Sequence, residues 1–443
     1  MKNKLAQNFK FFSLIKFSLP TMIMVLFASF YTTVDGMFVA RYVNTAALSA
    51  INLMWPIFGT LFAISCMFAS GGSALVAKKM GEQKNDEAKA NFSLIVIFSI
   101  IFGIIFSTIC LLFLEPIIYK LGANEIVYNY CRNYISPILM LSPFCILQMI
   151  FHSFFIAAGK PKTGLFVSLI GGTCNIIFDY IFIVILEMGI TGAAYATVLG
   201  FIIQSSYGIL YFTFKKKGTL FFVKPILDMS VVFKSCYNGV AEFIGNFAVS
   251  ITTFLFNIEM MKYLGVDGVA AITIVFYSEF ILTAIFYGYA SGVAPIFSYN
   301  YGSQNSYQLK NIFKISMKFV VSASVIMYLL SIFAASYVIN IFAAEGSNVF
   351  NLALKGFFIF AISFIFTGVN IFAASLFTAF SNGKVAAILM MLRTFVLLSI
   401  AILLLPKIFN VNGIWLAVPI VEFLSILLSI FYLIKYRKIY NYL

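Results

Sequence analysis

Acidic residues inside long apolar segments are the residues of this sequence that could do chemistry. Asp35 lies near the end of the run SLPTMIMVLFASFYTTVDGMFVAR, and Asp179 lies within NIIFDYIFIVIL. A carboxylate placed in hydrocarbon costs about 2.5–3.5 kcal/mol on insertion scales, so each aspartate needs a partner, a water-filled cavity or a proton. We therefore interpret Asp35 and Asp179 as functional candidates.

Each aspartate has a polar neighbour on its own helix face. Tyr31 precedes Asp35 by four residues and Asn175 precedes Asp179 by four, which is one helical turn. Two aspartates in one half of the chain could share a hydrogen-bonded cavity that holds a proton, or a sodium ion bound by carboxylate and amide oxygens. Plainer roles also fit the pattern, namely Asp35 as a helix cap and Asp179 as a polar contact between helices.

Four glutamates lie within apolar segments of the second half of the chain. Glu242 and Glu279 could line a cleft and attract a cationic substrate. They could equally pair with Arg393 or extend towards the headgroups. The weaker candidates are Glu259, close to a helix end, and Glu422.

The residue types needed for enzyme chemistry are sparse. His152 is the only histidine, and we interpret it as a packing or interfacial residue. No second histidine, cysteine pair or Ser-His-Asp set can build a metal or hydrolase site, so we expect no enzyme and no cofactor beyond a coupling ion. Six scattered cysteines without CxxC spacing fit apolar packing: Cys66, Cys110, Cys131, Cys145, Cys174 and Cys236.

The composition places all these residues in a polytopic membrane protein. Of 443 residues 62% are hydrophobic and 10% charged, and the mean hydropathy is +1.02, which a soluble fold cannot bury. Twelve apolar segments are each long enough to cross about 30 Å of hydrocarbon as a helix. They lie near 12–39, 48–77, 91–114, 130–157, 164–187, 190–214, 233–259, 269–299, 312–335, 352–380, 385–406 and 411–434.

The basic residues indicate the orientation of these spans. With a cytoplasmic N-terminus, 23 of the 29 Lys and Arg residues fall on the cytoplasmic side and six on the other. This asymmetry is what the positive-inside rule requires. We therefore predict that both termini are cytoplasmic, and we interpret the net charge of +14 as a topology signal rather than a nucleic-acid site.

The chain is duplicated at a constant offset of 221 residues. The segment ASGGSALVAKKMGEQ (69–83) aligns with ASGVAPIFSYNYGSQ (290–304), and Gly192 and Ala196 align with Gly413 and Ala417. Repeats with an even number of spans share one orientation, with a cleft between them, as in alternating-access transporters. We predict an all-α membrane protein of two six-helix lobes, 1–214 and 233–443, joined by a cytoplasmic linker, 215–232.

Several segments together resemble the multidrug and toxic compound extrusion (MATE) family, nearest to its bacterial DinF-like and MepA-like branch. They are VDGMFVARYVNTAALSAINL, NIIFD, GITGAAYATVLG and PIFSYNYGSQN, and the resemblance covers the whole chain. It implies a V-shaped, two-lobed, monomeric transporter in a bacterial plasma membrane. It also implies export of amphipathic, often cationic, compounds in exchange for protons or sodium.

The resemblance implies an ion site in the N-terminal lobe. In this sequence the site would comprise Asp35, Asn175, Asp179 and Thr197, with Tyr31 nearby and Pro20 as the bend in the first helix. A different branch places acids further along span seven and in span ten. Those regions read VSITTF and NIFAASLFTAF here, so we do not expect a C-lobe site of that type.

Two other functions are compatible with a polytopic chain. A flippase for a lipid-linked sugar, from the same superfamily, would show more basic residues in its cleft and often extra spans. A membrane enzyme or a non-transporting receptor is disfavoured by the missing catalytic residues and by the duplication. We therefore expect a cation-coupled exporter.

Overall fold

The computed structural model describes residues 4–443, except for the side chains of Ala40, Thr45, Ala46, Leu48 and Ile126. Within that range ten helical segments are long and apolar enough to span a membrane, and a pair bent by 59° supplies another span. The 74-residue segment Met229–Gly302 is two helices, because Gly265 (φ 64°, ψ −152°) breaks it. The described residues therefore form a multi-pass, all-helical membrane protein with twelve spans, as the sequence predicts.

The first six spans occupy the N-terminal half. They are α1 (Phe11–Tyr42), α2 (Thr45–Gly81), α3 (Asn85–Leu112), α4 (Glu125–Met140 and Ser142–Ala157), α5 (Pro161–Asp179, continued by the π-helical turn Tyr180–Ile185) and α6 (Gly189–Phe214). A short helix, Leu114–Lys120, joins α3 to α4. The bend within α4 coincides with Pro143 at the start of its second part, where the residue before a proline is biased away from helix.

The second six spans occupy the C-terminal half. They are α7 (229–264) and α8 (266–302) on either side of Gly265, α9 (Ser306–Asn340), α10 (Asn348–Phe360 and Phe364–Ala379), α11 (Gly383–Met390, the π-helical turn Met391–Val396 and Leu397–Phe409) and α12 (Val411–Tyr440). Because twelve spans separate the two ends of the chain, both termini lie at the same end of the bundle. We call this the terminal end.

The segment between α6 and α7 has no helix and is packed on the N-terminal half. Phe222 stacks on Phe92 of α3 with ring centroids 4.9 Å apart, and the Val223 amide donates to the Ser93 hydroxyl at 3.0 Å. Leu220 is buried. The predicted linker is therefore a structured strap over the N-terminal half rather than a free tether.

The two halves meet through glycines, which let helix backbones touch. A Cβ atom at Gly71 of α2 would lie 2.6 Å from the Gly239 nitrogen of α7, and one at Gly81 of α2 would meet the Tyr299 carbonyl of α8. A Cβ at Gly302 of α8 would in turn meet the Lys78 carbonyl of α2. We call Gly71, Gly81, Gly239 and Gly302 the glycine seam, and it lies towards the terminal end.

The seam follows the internal duplication. Residues 78 and 299, and residues 81 and 302, are related by the 221-residue offset, so the contact between α2 and α8 is reciprocal, like an isologous interface. At the same end, the Gln308 amide donates to Asn8 at 2.9 Å and the Asn311 amide donates to the Phe9 carbonyl at 2.6 Å. These contacts hold the two halves together at the terminal end.

Replacing Gly81 by alanine should separate the ends of α2 and α8, because its methyl group would clash with the Tyr299 carbonyl. Overpacking of this kind costs about 1–3 kcal/mol, which a thermal melt of the purified protein would detect. The matched control is Gly59→Ala in the same helix, where the methyl would rest 3.6 Å from Trp55 and 3.7 Å from Ser250. Equal melting temperatures for the two variants would show that the seam is not closed in solution.

Candidate functional site

The carboxyl groups of Asp35 in α1 and Asp179 in α5 lie within hydrogen-bonding reach of each other. Asp179 is fully buried and Asp35 partly buried. Apart from this mutual contact, one oxygen of Asp35 and both oxygens of Asp179 have no hydrogen-bond partner among the described residues. Two ionised carboxylates are both acceptors, so the contact becomes a hydrogen bond only when one of them carries a proton.

Two tyrosines lie beside the aspartate pair. Tyr31 is within electrostatic range of Asp35, and Tyr134 of α4 is within range of both aspartates. Tyr134 is 7% exposed, and its hydroxyl can either donate to or accept from a carboxyl group. Nothing in the sequence distinguishes Tyr134 from the other tyrosines among the 24 of the chain. The one signal that could have suggested it is its position in α4, at a depth in the membrane similar to that of the aspartates.

The other predicted members of this site lie along α5 and α6. Asn175 is buried one turn before Asp179, and its amide nitrogen has no partner among the described residues. The Thr197 hydroxyl donates to the Ala193 carbonyl of its own helix at 3.0 Å. Thr197 lies one turn from Gly200, whose missing Cβ would be 3.3 Å from the Asn175 Cβ. The structure thus brings α1, α4, α5 and α6 together around the aspartates.

Pro20 lies inside α1, which is assigned as one helix from Phe11 to Tyr42. Because proline has no amide hydrogen, the carbonyl of Lys16 lacks its helical donor. Pro20 is buried. Its proposed role as a hinge stays a prediction.

His152 is buried in α4, and its side chain lies beside Gln204 of α6. Neither the Nε2 atom of His152 nor the side-chain oxygen of Gln204 has a hydrogen-bond partner among the described residues. A side chain at Gly171 would overlap Gln204, so the glutamine fills the space left by that glycine. This placement agrees with the packing role predicted for His152.

A second charged group lies in the C-terminal half. The Arg393 Nε atom in α11 donates to Glu422 of α12 at 2.7 Å, and both residues are buried, with 8% and 5% exposed. The Asn370 amide of α10 donates to the other Glu422 oxygen at 2.6 Å and to its backbone carbonyl at 3.0 Å. Ser429 donates to the Asn370 carbonyl oxygen at 2.8 Å. Both carboxylate oxygens of Glu422 are therefore satisfied.

Arg393 also lies close to Tyr287 of α8. The Tyr287 hydroxyl is within hydrogen-bonding reach of the guanidinium. Glu279 lies within electrostatic range of both Arg393 and Tyr287, and Glu242 lies within electrostatic range of Tyr287. Arg393 Nη1 is buried without a partner among the described residues. The sequence ranked Glu422 below Glu242 and Glu279, yet the ion pair with Arg393 is formed by Glu422.

The three remaining glutamates differ in their pairing. Glu259 lies 3.8 Å from Lys262, which fits its place near the end of α7. Neither Glu242 nor Glu279 has a Lys or Arg within 4 Å in the described part of the chain. Both residues are only partly buried.

Comparison with known families identifies the chain. The MatE family model matches residues 20–181 and again residues 242–403. The chain belongs to the MatE family. The second match lies 222 residues after the first, which agrees with the sequence duplication to within one residue.

The chain also aligns with multidrug export proteins over almost their whole length. The chain is 24% identical over 435 residues to the "Multidrug export protein MepA" of Staphylococcus haemolyticus (strain JCSC1435), covering 97% of this chain and 94% of that one. It is 25% identical over 444 residues to the MepA of Staphylococcus aureus (strain NCTC 8325 / PS 47), with 96% and 94% covered. The MatE pattern thus extends across both halves.

Solved MATE structures share the fold of this chain. One described as the "Outward-facing conformation of a multidrug resistance MATE family transporter of the MOP superfamily" superposes with a TM-score of 0.93 at 19% identity, covering 100% of this chain and 99% of that one. Another, "Crystal structure of MATE in the straight conformation", gives a TM-score of 0.93 at 18% identity with the same coverage. The two-lobed, all-helical fold predicted from the sequence is confirmed.

Removing one partner of the Arg393–Glu422 pair should be costly, because it leaves the other charge buried and uncompensated. We expect Arg393→Leu to destabilise the protein by about 3–5 kcal/mol, and the double variant Arg393→Leu, Glu422→Gln to recover part of that loss. Thermal melts of the purified proteins measure both effects. Lys262→Ala, at the more exposed Glu259 pair, is the control and should cost at most about 1 kcal/mol. An Arg393→Leu loss as small as the control loss would contradict a buried ion pair.

Proposed function

We propose that this MatE protein is a secondary active multidrug exporter. It exchanges amphipathic or cationic compounds for protons by alternating access of a cleft between its two halves. Protonation of the Asp35–Asp179 pair favours one arrangement of the N-terminal half, and substrate binding favours the other. The coupling follows because a ligand shifts an equilibrium by its differential affinity for two states.

The observation that carries the proposal is that the carboxyl groups of the buried Asp179 and the partly buried Asp35 lie within hydrogen-bonding reach of each other. Asp35 and Asp179 have no cationic side chain within 4 Å among the described residues, so the charge of the pair must be neutralised from outside. Gaining a proton removes repulsion between the carboxylates, and losing it restores that repulsion. The site is therefore sensitive to the proton concentration of the compartment that it faces.

The names of the relatives support the transported class. The MepA proteins are multidrug export proteins by name, and one of the solved structures is a multidrug resistance transporter by title. Sequence identity of 24–25% over almost the whole of both chains supports a shared activity. We extend multidrug export to this chain on that basis.

The composition of the pair favours a proton over sodium as the coupling ion. A sodium site would have to draw on Asn175 and Thr197 as well as the two carboxylates. A proton needs only the carboxyl contact that is already formed, and its passage across the membrane supplies about 2.3 kcal/mol per 100 mV.

The supporting residues have distinct proposed roles. Tyr134 and Tyr31 supply hydroxyl groups that can hydrogen-bond the aspartates, and Asn175 supplies an amide one turn below. Thr197 positions α6 against α5. Pro20 gives α1 a point at which its helical hydrogen bonds are already interrupted, which suits a helix that must bend.

We propose further that the protein is a monomer in a bacterial plasma membrane with both termini in the cytoplasm. The distribution of Lys and Arg supports this orientation. It makes the terminal end cytoplasmic, so the glycine seam closes the cleft towards the cytoplasm. The arrangement described here is then the outward-facing state of the exporter.

Asp35→Asn and Asp179→Asn should each abolish drug resistance, because an amide keeps the size of the side chain but cannot exchange a proton near neutral pH. The measurement is the inhibitory concentration of a cationic dye in cells that express each variant, with protein levels checked by immunoblot. Glu125→Gln, at an exposed loop end, is the control and should retain resistance. Full resistance in either aspartate variant at normal protein level would refute the site.

Dye efflux should stop when the proton gradient is collapsed and should be indifferent to sodium. Cells loaded with a fluorescent dye are followed with and without a protonophore, and with sodium replaced by potassium. Efflux that persists with the protonophore but requires sodium would show that the coupling ion at the aspartates is sodium and not the proton. Efflux that needs neither ion would contradict secondary transport.

A further inference from the structure

We propose that Glu242 binds the protonated amine of an amphipathic substrate, in a crevice of the C-terminal half at the floor of the cleft. This inference rests on the proposed export function and adds a substrate group and the place where it binds. It concerns the half of the molecule opposite the Asp35–Asp179 pair. The residues that form the crevice come from α7, α8, α10 and α11.

The crevice lies directly beyond the glycine seam. Glu242 follows Gly239 of the seam by three residues, and Tyr287 adjoins Gly288, whose missing Cβ would be 2.5 Å from the Met22 Cα of α1. Helix backbones from the two halves touch at these glycines. Glu242 and Tyr287 therefore lie close to the contacts between the halves, and Cys66 of α2 lies within electrostatic range of Glu242.

The lining of the crevice suits a small cation. One carboxylate, one aromatic ring, one thioether and two hydroxyl groups line it, from Glu242, Tyr287, Met390, Ser291 and Ser375. Its volume is about 20 Å³, which is room for one water-sized group. An ammonium head fits that space, whereas a trimethylammonium head does not. Aromatic and thioether groups add favourable contacts with a cation and its alkyl chain.

The charges of this region leave Glu242 in need of a cation. Arg393 is the buried base beside the crevice, and Glu422 holds it at 2.7 Å. The second Glu422 oxygen is held by Asn370 at 2.6 Å, so the pair is neutral and fixed in place. Glu242 and Glu279 then contribute two negative charges that no Lys or Arg in the described residues compensates within 4 Å.

The fixed pair also explains why Arg393 does not occupy the crevice itself. Its Nε atom is bound to Glu422 and the Tyr287 hydroxyl lies within reach of the guanidinium. The guanidinium is therefore engaged by Glu422 and Tyr287, and it makes no ion pair with Glu242 among the described residues. A cation that enters from the cleft therefore meets the Glu242 carboxylate, which has no Lys or Arg within 4 Å among the described residues.

The test compares a charged amine with its neutral acetyl derivative. Monodansylcadaverine carries a primary amine that is protonated at about pH 8, since alkylamines titrate near pH 10, and its N-acetyl derivative is neutral. Fluorescence titration of the purified protein in lipid nanodiscs gives both dissociation constants. We expect the amine to bind at least about 10-fold more tightly than the acetyl derivative, and more tightly than a trimethylammonium analogue.

The variants assign this preference to the crevice. Glu242→Gln should bring the ratio of the two dissociation constants close to one, and Ser375→Val should reduce the ratio by filling the space without removing the charge. The matched control is Glu259→Gln in the same helix, which should keep the wild-type ratio. Binding of the acetyl derivative shows that each variant is folded.

Two results would overturn the inference. One is equal affinity of the wild-type protein for the amine and its acetyl derivative, and the other is an undiminished preference in Glu242→Gln. Equilibrium binding needs no coupling ion, so these outcomes are independent of whether Asp35→Asn abolishes transport. The experiments therefore distinguish a failure of the proposed export mechanism from a failure of the proposed amine binding at Glu242.

Discussion

The cost of placing charge in hydrocarbon is the constraint on which this structure depends. An ionisable group within the spans is costly unless it is neutralised, and the aspartate pair and the Arg393–Glu422 pair meet that cost in two ways. In the N-terminal half two carboxyl groups face each other and need a proton to remain in contact. In the C-terminal half a guanidinium and a carboxylate neutralise each other, and amide and hydroxyl groups satisfy the remaining acceptors. The first arrangement can change with its surroundings, whereas the second is fixed.

The helices are irregular where these groups lie. A π-helical turn begins directly after Asp179, and another contains Arg393. Such turns add a residue to the helix and are frequent at functional sites. In α5 and in α11 the π-helical turn therefore changes the direction of the side chains near the charged residue.

The two charged groups are connected across the interface between the halves. Tyr31 lies within electrostatic range of Asp35 and Cys145, and Cys66 lies within range of Cys145 and Glu242. The connection passes just beyond the glycine seam, where α2 touches α7. A change that opens the seam would alter the distances along this connection.

The sequence by itself determined the class, the number of spans and the duplication. Long apolar segments can only be satisfied as helices in a bilayer, and the 221-residue offset placed Lys78 and Gly81 in register with Tyr299 and Gly302 before their contact was known. It also selected Asp35 and Asp179, because rare charges in apolar segments stand out. Tertiary structure alone decided which groups meet. Tyr134 gave no distinguishing signal along the chain, and Glu422 stood out as a charge but not as the partner of Arg393. The partner of a side chain in a helix bundle depends on how the helices are rotated and packed, which hydropathy and spacing do not specify.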